Sequence, residues 1–319
     1  MQKLFSVVCR LQPCKALNAS SGVVMSKEEE NVKAIEERRK QMFEESEKLK
    51  ARMGKIKHKV AVISGKGGVG KSTITANLAI AFAMHGHTNS IGVLDADIHG
   101  PSIPKILGLT GQRLQIGPPG VFPVFGSLGI KVVSMDFLLP DEDAPVIWRG
   151  PLKMTAIRQF LSDIVWGELD ILLIDLPPGT GDEPLSIAQL LPDMDGVIIV
   201  TIPSEVSQVV VKKAVTFARR LGMPIIGVVE NMSGFVCPNC GAKIDIFQSG
   251  GGKRMADELG IPLLGSIPLD QKISQASDKG LPFIVEDPKS PASKAFMEIA
   301  EKVEAYLKGR GDKRHGRKR

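Results

Sequence analysis

The amino-acid sequence predicts an α/β fold, a mostly parallel sheet with helices on both faces. Two observations carry this expectation. Short apolar runs of strand length recur along the chain, most of them separated by helix-length segments. The first run ends at a glycine-rich loop that opens into a helical stretch. The runs are Val60-Ala61-Val62-Ile63, Ile91-Gly92-Val93-Leu94, Ile130-Lys131-Val132-Val133, Ile171-Leu172-Leu173-Ile174, Val197-Ile198-Ile199-Val200 and Ile225-Ile226-Gly227-Val228-Val229. Near-continuous runs mark strands buried on both faces, and such burial needs helices above and below the sheet. Residues 72–84 read as the helix after the loop, and residues 204–221 and 290–307 read as amphipathic helices. No internal repeat is visible, so residues 59–307 form one domain.

The flanks differ from this core. Residues 27–58 are dense in Glu, Lys and Arg, with opposite charges three or four positions apart and sparse apolar residues at Val32, Ile35, Met42 and Leu49. That pattern supports an exposed helix or linker outside the core. Residues 1–26 contain no acid and include Lys3, Arg10 and Lys15. They fit either an uncertain leader, such as a mitochondrial transit segment, or a start placed too early, with Met25 as the true one. The second reading is favoured, which places the chain in the cytoplasm, with the mitochondrial matrix as the alternative. Residues 308–319 hold seven Lys or Arg and one Asp, a net +6 that equals the formal charge of the whole chain. The body is therefore near neutral, and the high pI reports a basic, disordered tail rather than a face for specific nucleic-acid binding. With 319 residues and 43% hydrophobic content the chain can bury a core without staples. No run of eighteen apolar residues exists, so no transmembrane segment is expected.

Gly65-Lys66-Gly67-Gly68-Val69-Gly70-Lys71-Ser72 matches the phosphate-loop pattern G-x-x-x-x-G-K-[ST] in full. It lies directly after a buried strand and before a helix. The glycines let backbone N–H groups close around phosphates, and the helix N-terminus adds its positive end. Lys71 is placed to reach the β- and γ-phosphates and Ser72 to bind Mg2+, with Thr73 beside them in the nucleotide-binding stretch. The second lysine, Lys66, makes the loop resemble the deviant Walker A motif of the MinD/ParA/nitrogenase-iron-protein class. That resemblance implies that Lys66 reaches the partner's nucleotide across a dimer, as an arginine finger does.

Other acids stand at strand ends, where ligands gather in open α/β sheets. Ile171 to Ile174 run into Asp175, which is read as holding Mg2+ through water. Pro177-Pro178-Gly179-Thr180-Gly181-Asp182 follows as a switch loop, with the Gly179 N–H able to approach a γ-phosphate. Asp95-Ala96-Asp97 ends the strand at Leu94. By resemblance, Asp97 orients or deprotonates the attacking water and Asp95 lies near the Mg2+ shell. Asn231 closes a further strand, and its amide can pair with an adenine edge by donating and accepting together. The resemblance favours that role, and with it ATP as the nucleotide.

The four cysteines fall in two pairs, Cys9 with Cys14 and Cys237 with Cys240. Secreted disulfide scaffolds are shorter and richer in cysteine, so a reducing compartment with available thiols fits better. Cys237-Pro238-Asn239-Cys240 admits three readings. One is a zinc site, which needs four ligands, and one is a redox pair. The third is a shared site in which a twofold dimer supplies four thiolates, the number that holds a 4Fe-4S cluster.

Together the loop, the stretch from Asp95 to Ser102, Asp175 with its Pro-Pro-Gly loop, and Asn231-Met232-Ser233 followed by the cysteine pair resemble the Mrp/ApbC family of iron–sulfur cluster carriers. The likeness spans about residues 59–307. It implies a slow ATPase acting as a homodimer, with ATP, Mg2+ and a 4Fe-4S cluster bridged by Cys237 and Cys240. A cluster assembly scaffold or other donor and apo iron–sulfur acceptors would be its partners. Relatives with an N-terminal cluster carry four cysteines there, so Cys9 and Cys14 alone predict none. The alternatives are a MinD/ParA-like spatial ATPase acting on membrane or nucleoid, and a zinc-clasped dimeric ATPase.

Overall fold

The computed structural model describes residues 27–97, 100–138, 158, 161–191, 193–237, 240, 242–244 and 250–316. The expectations for residues 1–26, including Cys9 and Cys14, lie outside the described residues.

In chain order the helices are α1 (Lys27–Met53), α2 (Lys71–Met84), α3 (Ile103–Ile106), α4 (Asp182–Leu190), α5 (Glu205–Arg220), α6 (Gly251–Leu259), α7 (Gln271–Lys279), α8 (Phe283–Glu286) and α9 (Pro291–Gly316). The strands are β1 (Ile56–Ser64), β2 (Ile91–Asp95), β3 (Gln115–Gly117), β4 (Gly120–Phe122), β5 (Val124–Phe125), β6 (Lys131–Ser134), β7 (Leu169–Asp175), β8 (Gly196–Thr201), β9 (Ile225–Glu230), β10 (Phe235–Val236), β11 (Lys243–Ile244) and β12 (Leu263–Ser266). Among the described residues the main sheet has eight strands in the order β12-β9-β8-β1-β7-β2-β6-β5. Its neighbours pair in parallel except β5 with β6 at one edge. This is the α/β architecture the apolar runs predict.

The period of two along each strand explains the layers. Val60 and Val62 of β1 and Ile171 and Leu173 of β7 pack with Ile74, Leu78 and Phe82 of α2 and Phe296, Ile299 and Val303 of α9. Ala61, Ile63, Leu172 and Ile174 face the other way, against Val211, Ala214 and Val215 of α5 and Ile187 of α4. Both faces are thus covered, which is why these strands read as unbroken apolar runs. Ser204 caps α5 by accepting from Ser207 N at 3.3 Å, and Ser290 Oγ accepts from Ser293 N at 2.9 Å ahead of Pro291.

Two boundaries differ from expectation. The charged segment is helical, but its last turns belong to the core. Leu49 is 6% and Met53 3% exposed, packed with Trp166 and Leu169, whereas Val32 and Ile35 are exposed. Lys48 pairs with Asp163 at 2.5 Å and Arg52 donates to the Pro119 carbonyl, fastening the same end. Leu49 and Met53 lie four apart on one helix face, so a sparse pattern still buries a stripe. At the other end, α9 runs to Gly316 instead of giving way to a disordered tail after 307. Lys and Arg are good helix formers, and cations suit the negative end of a helix.

Leu49→Ala is expected to cost about 2–5 kcal/mol, read as a lower urea midpoint. Ile35→Ala on the exposed turns is expected to stay within about 0.5 kcal/mol. Equal effects at both positions would contradict the asymmetric docking of α1.

Candidate functional site

The carboxyl ends of β1, β2, β7 and β9 share one edge of the sheet. Val62 of β1 and Asp95 of β2 both stand opposite Asp175 of β7, and Thr201 of β8 stands opposite Glu230 of β9. The loop after β1 is held open by its glycines. Gly68 and Gly70 have φ of 77° and 82°, a region favoured only by glycine. A Cβ at Gly65 would collide with the backbone of Val210, and one at Gly70 would collide with the Asn231 amide. A Cβ at Gly67, Gly68 or Gly179 would meet nothing within 4 Å. The loop therefore borders open space on the side where phosphates would lie, while α2 starts directly behind it at Lys71. Val69 is buried beneath the loop, and Thr73 lies half-buried in the first turn of α2.

Asp175, fully buried, gathers this region. Lys71 Nζ lies 2.7 Å from its Oδ2, Ser72 Oγ donates to Oδ2 at 2.5 Å, and Thr75 Oγ1 donates to Oδ1 at 2.8 Å. Asp95 is buried on the neighbouring strand. Its Oδ1 accepts from Asp97 N at 3.2 Å, and its Oδ2 accepts from Ile103 N at 3.3 Å and Ser134 Oγ at 3.2 Å. Burial, and then the charge of Asp175, push the Asp95 carboxyl up to about 8, against the opposing pull of Lys71 and the two amides. With its proton retained Asp95 is neutral and Lys71 balances Asp175, so a divalent cation would take the place of that proton. Among the described residues no three His, Cys, Asp or Glu side chains form a metal ligand set. Mg2+ needs none, since it is usually held by one or two carboxylates with phosphate and water. Ser72, Asp95 and Asp175 fit that donor set.

The switch residues are in place but engaged elsewhere. The Gly179 N–H, at φ 95°, donates to Ser64 O at 2.9 Å, so aiming it at a γ-phosphate requires the loop to move. Asp97 is half-buried and its Oδ1 accepts from Gly100 N at 3.2 Å. Ser64 Oγ donates to Lys66 O at 2.9 Å, pinning the backbone. Among the described residues no hydrogen bond or ion pair holds the Lys66 ammonium.

Asn231 is buried, and its Nδ2 donates to Val69 O at 2.9 Å. The amide expected on an adenine edge therefore braces the phosphate loop from below. Beyond it, β10 and β11 form a small antiparallel hairpin, Phe235 opposite Ile244 and Val236 opposite Lys243. Cys237 N donates to Ala242 O at 2.9 Å, closing the turn that bears both cysteines. Cys237 is half-buried, Cys240 is exposed, and neither is in a disulfide. The structure thus brings Lys71, Ser72, Asp95 and Asp175 together and sets the thiols apart, beyond the end of β9.

Sequence reasoning missed Thr75, Ser134 and Glu230. Thr75 lies one helical turn after Ser72 and so shares its face. Ser134 and Glu230 each follow an apolar run directly, so the strand-end rule used for Asp175 would have found them.

Comparisons with known proteins agree with this geometry. The family described as ParA: NUBPL iron-transfer P-loop NTPase matches residues 55–304. An "Iron-sulfur cluster carrier protein" of Methanocaldococcus jannaschii is 54% identical over 272 residues, covering 85% of this chain and 92% of its own. One of the same name from Saccharolobus solfataricus is 57% identical over 256 residues, covering 80% and 86%. Among solved structures, a nucleotide-binding protein from Archaeoglobus fulgidus in complex with ADP superposes with a TM-score of 0.69 at 42% identity, over 79% of this chain and 96% of that one. MinD from Aquifex aeolicus gives a TM-score of 0.57 at 23% identity over 78% and 97%, a likeness of fold alone.

Asp95 keeps its proton in the folded chain up to about 8, whereas the unfolded chain loses it near 3.8. Its contribution to stability is therefore complete below the lower value and is lost as pH rises towards the upper one. In nucleotide-free, metal-free protein, Asp95→Asn is expected to gain on the parent by on the order of 1 kcal/mol per pH unit across that window. Parallel stability–pH curves for the two proteins would contradict the assignment.

Proposed function

The chain belongs to the family of NUBPL iron-transfer P-loop NTPases, and from that premise we propose a specific activity. Two copies hold one 4Fe-4S cluster between them, hydrolyse ATP, and pass the cluster to apo iron–sulfur proteins. That the chain is an iron–sulfur cluster carrier follows from relatives of that name matching over most of its length. The cluster type, the dimer and the use of ATP are the added reading.

The observation that carries it is the thiol hairpin. Cys237 and Cys240 project beyond the end of β9, one half-buried and one exposed, on the same sheet edge as the phosphate loop. One chain offers two thiols there, and a 4Fe-4S cluster takes four thiolates. A twofold axis presents the same patch from each subunit and so supplies the other pair. An exposed cargo site suits handing on better than a buried one would. A cluster assembly scaffold or other donor would supply the cluster.

At the nucleotide end, the loop amides from Gly65 to Thr73 cradle the phosphates, and Lys71 swings from Asp175 to the β- and γ-oxygens. Ser72, Asp95 and Asp175 would hold Mg2+, which when bound neutralises charge on those oxygens. Asp97 orients the attacking water. Lys66, whose ammonium has no hydrogen bond or ion pair among the described residues, serves the nucleotide of the second subunit. Asn231 contacts the adenine edge with the amide oxygen while its nitrogen stays on Val69. The Gly179 loop exchanges its bond to Ser64 for the γ-phosphate and returns after hydrolysis, as switch loops do. Reduced thiols fit the cytoplasm, or the mitochondrial matrix if residues 1–26 are a transit segment.

The test is transfer by Cys237→Ala/Cys240→Ala after anaerobic loading with iron and sulfide. Wild-type protein is expected to restore an apo-enzyme acceptor, and the double variant to lose both bound iron–sulfur absorbance and transfer. Transfer at the wild-type rate by the variant, or zinc as the metal bound by the wild type, would overturn the bridging site.

A further inference from the structure

The phosphate loop and the thiol hairpin are joined by two consecutive residues, and the contacts of each run in opposite directions. Asn231 faces the nucleotide end. Its backbone N–H donates to Thr201 O at 2.7 Å, fixing it to β8, and its side chain holds Val69 O. Because a Cβ at Gly70 would strike that amide, any shift of the loop on filling is felt at Asn231.

Glu230 faces the other end. It is 1% exposed, and its carboxylate closes the excursion that carries the cysteines. Oε1 accepts from Ser233 Oγ, at the start of the excursion, and from Gly250 N at 3.4 Å, at its end. Oε2 accepts from Gly252 N in the first turn of α6. A Cβ at Gly252 would sit 2.8 Å from Oε2, so the glycine is what allows the approach. Gly250, at φ 74°, turns the chain into the helix. A buried carboxylate must be matched by donors, and here the donors are Ser233, two residues before β10, and Gly250 and Gly252 at the entry to α6. One side chain thus ties the two ends together, beside the backbone bonds from Ser233 N to Ile267 O and from Leu269 N to Gly234 O. Glu230 and Asn231 are adjacent in the chain, so the side chain that touches the loop and the one that ties the excursion share a peptide bond, and both backbones are pinned, Ile267 N donating to Glu230 O at 2.8 Å and Asn231 N to Thr201 O.

We propose that Glu230 and Asn231 form a coupler in which Asn231 senses occupancy of the phosphate loop and Glu230 converts it into the spacing of the segments that present Cys237 and Cys240. Glu230 is a positioning residue: it touches neither nucleotide nor cargo. The identity of the cargo rests on the carrier reading above, whereas the coupling does not depend on it.

The experiment measures hydrogen–deuterium exchange of full-length, cluster-free protein with and without ATP and Mg2+, in peptides covering 233–237 and 250–256. Glu230→Gln keeps the side-chain shape but turns an NH2 group toward amides that themselves donate. In the wild type, nucleotide is expected to change exchange in both peptides by about fivefold or more, the lower end of allosteric coupling. In Glu230→Gln the change is expected to vanish while the nucleotide Kd stays within about twofold, an effect too small for a damaged binding site. A general loss of structure would instead raise exchange in both states and weaken binding. If Glu230→Gln fails to fold, Ser233→Ala removes one of these donors only and is expected to reduce the response in 233–237. A wild-type protein without any response, or a Glu230→Gln or Ser233→Ala protein with the full one, overturns the coupler. Failure to bind iron and sulfide while the response persists would remove the carrier reading and leave the coupling standing.

Discussion

The buried carboxylate of Asp175 is the constraint on which the rest of the site depends. An ion removed from water must find its charge and hydrogen-bond partners within the protein. Lys71, Ser72 and Thr75 supply them from the first turn and a half of α2. That demand draws the start of α2 onto the end of β7, although Asp175 lies 103 residues after Ser72 and 100 after Thr75. The parallel arrangement with β1 beside β7 achieves this, and the register of Val62 opposite Asp175 is its expression. The glycine loop then spans the short gap that remains between β1 and α2.

A second carboxyl group stands beside the first, a donor pair that would suit a divalent cation. Asp95 is set opposite Asp175 by the β2–β7 register and is buried as deeply. One lysine does not balance the two, so the apo protein retains a proton that a metal with nucleotide would displace. Lys71, Ser72 and the Gly179 N–H all have intramolecular partners, which on the proposed reading Lys71 and Gly179 give up to a phosphate and Ser72 to Mg2+. The arrangement is thus a self-satisfied version of the site, and on the proposed reading binding exchanges one set of partners for another. β9 extends the same edge outward, so the thiol hairpin shares a base with the nucleotide loop.

Much of this was legible in the sequence because burial on both faces writes itself as unbroken apolar runs, and because the phosphate loop, Asp95 and Asp175 stand immediately at run ends. The short pairs β3–β4 and β10–β11 were not legible, since two or three residues carry no period. Nor was the docking of α1, where Leu49 and Met53 are a small apolar minority in a charged helix. Partners were harder than positions. Asn231 was placed at the nucleotide, yet its bond to Val69 depends on how β9 sits beside β1 and β8. Glu230 reads as one more acid at a strand end, and its grip on Gly250 and Gly252 joins residues twenty apart across an excursion whose path no local rule gives. The helical continuation past Leu307 was hidden by treating basic charge as a sign of disorder, although Lys and Arg favour a helix end.

The central claim is that cargo is held between two copies, each giving the two thiols of its hairpin. Native mass spectrometry of the anaerobically reconstituted full-length chain tests it most directly. The account predicts a dimer carrying one 4Fe-4S unit, and a cluster-free species when Cys237 and Cys240 are replaced. A monomer carrying a complete cluster, or a dimer carrying one cluster on each chain, would contradict it.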